Sequence, residues 1–193
     1  PLSDQQINSI ISNQYVEYEM RQLVASAGQS VGKQREHNED SLLAITSTIS
    51  GSADSIPFGL YIVADGMGGH QFGEVASNAA VRIMGGNITK KFHSYLYSLP
   101  TQALQESLQE VMEASIMEAH QYVQREAPGS GTTVTAALVL GQQVTIAHVG
   151  DSRAYSVYPD GRIESITRDH SLVKRLEELG HLSKDEAVNF PHR

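Results

Sequence analysis

The run Val63-Ala64-Asp65-Gly66-Met67-Gly68-Gly69-His70 ends an apolar, strand-like stretch in a single carboxylate, with glycines crowding in behind it. Glycine at such a place lets backbone and ligand approach closely, so Asp65 reads as an acid at the mouth of a sheet. Two more acidic stretches, Asn38-Glu39-Asp40 and Gly150-Asp151-Ser152-Arg153, suggest a metal site built from carboxylates at strand ends. The chain has no cysteine, which excludes disulfides, thiolate metal sites and a cysteine nucleophile within it. Carboxylates without thiolates favour hard cations, Mg²⁺ or Mn²⁺, over Zn²⁺ or Cu²⁺. Two such ions about 3.5–4 Å apart clamp a phosphoryl group and lower the pKa of a water from about 15.7 to about 7. Hydrolysis then needs no protein nucleophile.

Other chemistries fit these residues less well. The glycines of 66–73 fail the G-x-G-x-x-G register, and no G-x-x-x-x-G-K-[ST] loop occurs, which argues against dinucleotide binding and an NTPase. None of the eight histidines has a zinc-binding spacing inside a helix. His148 reads as a packed strand residue, and His70 as a residue that shapes the glycine turn. A net charge of −8 makes the chain a poor partner for nucleic acid or an anionic membrane. There is no apolar run long enough for a membrane helix and no secretory pattern at the start. The expected location is the cytoplasm.

At 193 residues the chain suits one core, so the elements must position the carboxylates within a single domain. Residues 1–20 read as an N-terminal arm or short helix, and 21–193 as the domain. Strands are expected at 23–30 and 41–48 as a pair, at 58–65, at 131–140 and at 143–149, with a loop over 50–57. A hairpin joins 153–158 to 162–167 through Pro159-Asp160-Gly161, an Asp-Gly turn signal. Helical spacing of apolar residues runs from 73 to about 92, and most clearly from 101 to 126, where Pro128-Gly129 stops it. Short helices are expected at 173–180 and 183–189. This order predicts an α+β fold with mainly antiparallel sheet covered by helices.

Five motifs in order carry a family resemblance. They are Arg35-x-x-Asn38-Glu39-Asp40-Ser41, Asp65-Gly66-Met67-Gly68-Gly69-His70-x-x-Gly73-Glu74-x-Ala76-Ser77, Gly131-Thr132-Thr133, Val149-Gly150-Asp151-Ser152-Arg153-Ala154-Tyr155 and Thr167-Arg168-Asp169-His170-Ser171. From about Ser26 onward the chain resembles the metal-dependent serine/threonine protein phosphatases of the PPM, or PP2C, type in their bacterial form. The resemblance implies an antiparallel β-sandwich flanked by helix pairs, in α-β-β-α layers. It also implies metal-dependent hydrolysis of phosphoserine and phosphothreonine in proteins, reversing a cognate Ser/Thr kinase. By resemblance, Asp65 bridges two Mn²⁺ or Mg²⁺ ions and the Gly66 carbonyl joins one of them. Glu39 and Asp40 support the metals, largely through their waters. Asp151 serves a third, weaker metal site, and Arg35 holds the substrate phosphate, for which a guanidinium fork is suited.

The resemblance is incomplete. The family pattern continues into an Asp-Gly strand and an Asp-Asn strand, each with a metal-ligand aspartate, and neither occurs here. The expected fold therefore lacks its last strands. Met67 stands where animal members place a general acid, and Phe190 where the flap often carries a histidine. A non-catalytic, phosphatase-like binding module and an inactive truncated fragment are the alternatives. Missing strands would open a sheet edge, which invites self-association.

Overall fold

Strand β1 (Asp40–Ser50) pairs antiparallel with β2 (Ser55–Met67) along its whole length, from Asp40 opposite Asp65 to Ser50 opposite Ser55. The computed structural model describes residues 22–33, 37–50, 55–68, 72–98 and 103–170. After β2 come helix α1 (Phe72–Tyr97), helix α2 (Leu108–Glu126), and strands β3 (Gly131–Thr132), β4 (Val134–Leu140) and β5 (Gln143–Val149). The hairpin β6 (Tyr155–Val157) and β7 (Ile163–Ser165) follows. The main sheet has the order β1-β2-β4-β5, with β3 extending the β4 pairing along β2. Among the described residues every pairing is antiparallel.

The side-chain period of two divides this sheet into two faces. Leu60, Ile62 and Ala64 of β2, with Val134, Ala136 and Leu138 of β4, turn to the helices and are buried. Met84, Ile88 and Phe92 of α1 and Val111 and Met112 of α2 meet them. Each fully buried side chain of this size contributes about 1.5–3 kcal/mol. The alternate residues face the other way, where Val63 and Val144 remain more than half exposed. Asp40 and Asp65 lie on that second face, at the end of the sheet nearest the start of α1. Close packing of α1 on β1 requires Gly85, where a Cβ would come within 2.5 Å of Leu43 Cδ2.

Helix α2 starts at a capping box. The Ser107 hydroxyl accepts from Glu110 N at 3.2 Å, and the Glu110 carboxylate accepts from Ser107 N at 2.7 Å. That backbone bond first, and the serine hydroxyl second, hold the Glu110 carboxyl below its usual value. A depressed carboxyl pKa stabilises the fold at neutral pH, and the contribution fades as pH falls through the folded value. Ser107→Ala should cost about 1 kcal/mol in urea unfolding at pH 7. The difference between the two proteins should shrink as acidification protonates Glu110 in the folded chain.

Several expected boundaries move. Residues 23–30 form no strand: the 41–48 strand, extended to 40–50, takes β2 as its partner instead. Alanine, serine and glycine dominate 25–30 and are weak β-formers, so nothing local holds that stretch in a ladder. The loop at 50–57 shrinks, because β1 and β2 reach Ser50 and Ser55. The long helix starts at Leu108, not 101, because Ser107 caps it. The first helix runs on to Tyr97. β5 has the expected bounds, while the 131–140 strand is interrupted at Thr133 and the later hairpin is shorter than its sequence suggests. The arm at 1–20 and the helices at 173–180 and 183–189 lie outside the described residues. Among the described residues no helix is long and apolar enough to cross a membrane.

Candidate metal centre

The first carboxylates the sequence singles out meet by register. Glu39 O accepts from Gly66 N at 3.2 Å, which makes Glu39–Gly66 a hydrogen-bonded pair and Asp40–Asp65 the next, non-hydrogen-bonded one. Side chains are closest in pairs of that second kind, with Cβ atoms about 4.5–5.5 Å apart. Two carboxylates so placed offer oxygen donors side by side, and an all-oxygen donor set suits a hard divalent ion.

Gly66 is buried beneath the first turn of α1. A Cβ there would stand 2.1 Å from Gly73 O and 2.7 Å from Glu39 O, both backbone atoms. Only glycine lets β2, the start of β1 and the start of α1 converge. The Glu39 carboxylate lies along Gly73, where a Cβ would be 3.0 Å from Oε2. It sits at the helix N-terminus, where the backbone dipole favours negative charge.

Hydroxyl groups hold the two acidic segments in place. Ser77, fully buried, donates to Glu39 O at 2.6 Å and lies 3.0 Å from Ser41 Oγ. Asp65 is held from the other side. Its N–H donates to Thr133 Oγ1 at 3.0 Å, while its carbonyl accepts from Thr133 N at 2.9 Å and from Thr132 Oγ1 at 3.0 Å. The ladder breaks at Thr133 because a side-chain oxygen, not the carbonyl, takes the Asp65 N–H. Asp40 N donates to Asn38 Oδ1 at 3.0 Å, and Gln29 Nε2 donates to Asp40 O at 3.1 Å.

Thus Glu39, Asp40, Asp65 and Gly66 come together. Asp151 is one step removed: its neighbour Ser152 shares a 2.7 Å hydrogen bond with Thr133. Arg153 does not turn back to Asp151. It forms a forked pair with Asp169, Nε to Oδ1 at 2.8 Å, and this carboxylate, then Tyr155, raises the guanidinium pKa. His148 is occupied structurally, with Nδ1 3.0 Å from Thr135 Oγ1 and Nε2 3.1 Å from Arg168 O. A carbonyl cannot donate, so Nε2 carries a proton. Arg35 and His70 lie outside the described residues. Among the described residues no group of three or more Asp, Glu or His side chains is close enough to hold a metal ion. The register sets Asp40 opposite Asp65, with the Glu39 and Gly66 backbone beside them.

The sequence carries one sign of the clamp that Ser77, Thr132 and Thr133 form: Gly73 and Ser77 are four apart on a helix, so both face the Glu39 segment.

The geometry has counterparts. A family model described as protein phosphatase 2C matches residues 24–179. The serine/threonine phosphatase stp of Listeria innocua is 38% identical over 163 residues, spanning 84% of this chain and 60% of that protein. The crystal structure of the catalytic domain of the serine/threonine phosphatase PstP, in complex with two manganese ions, superposes with a TM-score of 0.58 at 30% identity. It covers 81% of this chain and 60% of that one. Stp1 from Staphylococcus aureus gives a TM-score of 0.57 at 31% identity, over 83% and 59% of the two chains. The chain therefore spans about 60% of the length of the relatives it matches in this way. With a match over most of its length and with its strand-end carboxylates in register, the chain belongs to the protein phosphatase 2C family.

Proposed function

We propose that this protein hydrolyses phosphoserine and phosphothreonine in proteins with the help of Mn²⁺ or Mg²⁺. The carrying observation is the Asp40–Asp65 pair, two carboxylates set opposite one another at a sheet end in a family whose PstP relative binds two manganese ions. When bound, two such ions supply positive charge for the phosphoryl oxygens and acidify a water from a pKa of about 15.7 to about 7.

The chain's own residues do the positioning. Asp65 would be the ligand shared by the two ions, on a backbone fixed by Thr132 and Thr133. Asp40 faces it across the strand pair, the Gly66 carbonyl adds an oxygen, and Glu39 supports the site from the start of α1. Asp151 belongs to a third, weaker metal site on the adjoining loop. Arg35 binds the substrate phosphate through its guanidinium fork. The proposal includes a cognate Ser/Thr kinase as the source of substrate, action in the cytoplasm, and residues 1–20 as an arm outside the 21–193 domain. It also includes self-association through an open sheet edge, which sedimentation would read as a dimer.

Phosphate release from a phosphothreonine peptide tests the activity. With Mn²⁺ the 193-residue chain should turn over repeatedly, and chelation should abolish release. Absence of turnover at saturating Mn²⁺ would overturn catalysis by this chain.

A further inference from the structure

A groove of about 1180 Å³ runs from the metal centre along the outer edge of β1 and the flank of α1. Asp40 and Glu74 line the end at the site, and Arg82, Lys90 and His93 line its length. Charge on α1 is arranged in one direction. Glu74 in the first turn is its only acidic residue, and everything charged beyond it is basic. In a chain of net charge −8 this stripe is an exception. Lys91 is engaged by Glu106 at 2.6 Å. Among the described residues Arg82 and Lys90 have no ion-pair partner; Arg82 Nε bonds only the neutral Asn78.

The opposite wall is a sheet edge. Among the described residues no strand pairs with the outer side of β1. The register directs the backbone groups of Asp40, Leu42 and Ala44 outward, and Gln29 already donates to the Asp40 carbonyl there. An extended peptide can add to such an edge by main-chain hydrogen bonds, while side-chain contacts give specificity.

We infer that this groove docks an extended, acidic segment of the phosphoprotein substrate beside its phosphorylated residue. The inference rests on the phosphatase reading and names a feature of the substrate. Arg82 and Lys90 lie about 12 and 24 Å along the helix from Glu74. An extended chain covers those spans in about four and seven residues, so acidic groups are selected at those distances from the phosphoresidue.

The test compares two fluorescein-labelled phosphothreonine peptides, one with aspartates about four and seven positions from the phosphothreonine on both sides, one with serines there. Anisotropy with the 193-residue chain should show about five- to tenfold tighter binding of the acidic peptide, weakening with salt. R82E/K90E should remove that preference and leave the serine peptide's Kd unchanged; R82Q/K90Q should give the intermediate result. Both positions are exposed, and circular dichroism checks the fold of each variant. Equal affinity of the native chain for both peptides, or a preference that survives R82E/K90E, overturns the groove. Phosphate release measured in parallel separates the two readings: an acidic preference without release keeps the groove and removes the activity, and release without preference does the reverse.

Discussion

Asp65→Asn should lower phosphopeptide hydrolysis by about 10²–10³-fold, the scale for loss of one preorganised electrostatic group. Asp65 faces Asp40 in a non-hydrogen-bonded pair at the end of β1 and β2. The change removes charge from the carboxylate proposed as the shared ligand. Mn²⁺ should raise the melting temperature of the native chain by mass action and leave that of the variant nearly unmoved. Thermal scans with chelator and with Mn²⁺, beside phosphate release, check both effects. An equal rise with Mn²⁺ in the two proteins would contradict the ligand role of Asp65.

Gly66→Ala should be the most damaging added methyl among the described glycines. The added carbon would meet Gly73 O at 2.1 Å and Glu39 O at 2.7 Å, and backbone on both sides leaves no flexible side chain to give way. Overpacking costs about 1–3 kcal/mol where side chains can adjust. Here the loss should be about 3 kcal/mol or more by urea unfolding, with the Asp65–Asp40 register and Mn²⁺ binding lost in the molecules that still fold. Gly86→Ala is the matched control. It sits in the same helix–sheet layer, nothing lies within 4 Å of its added carbon, and α1 should gain about 0.5–1 kcal/mol from it. Equal behaviour of the two variants would show that the packing at Gly66 does not matter.

What the sequence shows well is whatever rests on local pattern. The strand that ends in Asp65, the strands either side of residues 141–142 and the long amphipathic α2 are visible in periodicity. Partner choice is not local. The 23–30 segment is expected to pair with β1, but its Ala- and Gly-rich stretch is a weak β-former and β1 pairs with β2 instead. The same holds for the site. Carboxylates beside glycines mark Asp40 and Asp65, but their exact opposition is a matter of register. The hydroxyls that hold them, from Ser77 and Thr133, look like ordinary polar residues until the fold brings them to Glu39 and Asp65. Arg153 illustrates the reverse: its nearest acid in sequence is Asp151, yet its partner is Asp169, sixteen residues on.

If Asp40 and Asp65 are the nucleus of a divalent-metal site, the chain binds Mn²⁺ in solution and loses that binding when either carboxylate is neutralised. The most direct measurement is a calorimetric titration of the metal-free 193-residue chain with Mn²⁺, beside Asp65→Asn and Asp40→Asn, because it reads binding whether or not the chain turns over. The account predicts saturable binding by the native chain, weakened by about tenfold or more in each variant. Binding of equal strength in all three proteins, or none in the native chain, would contradict it.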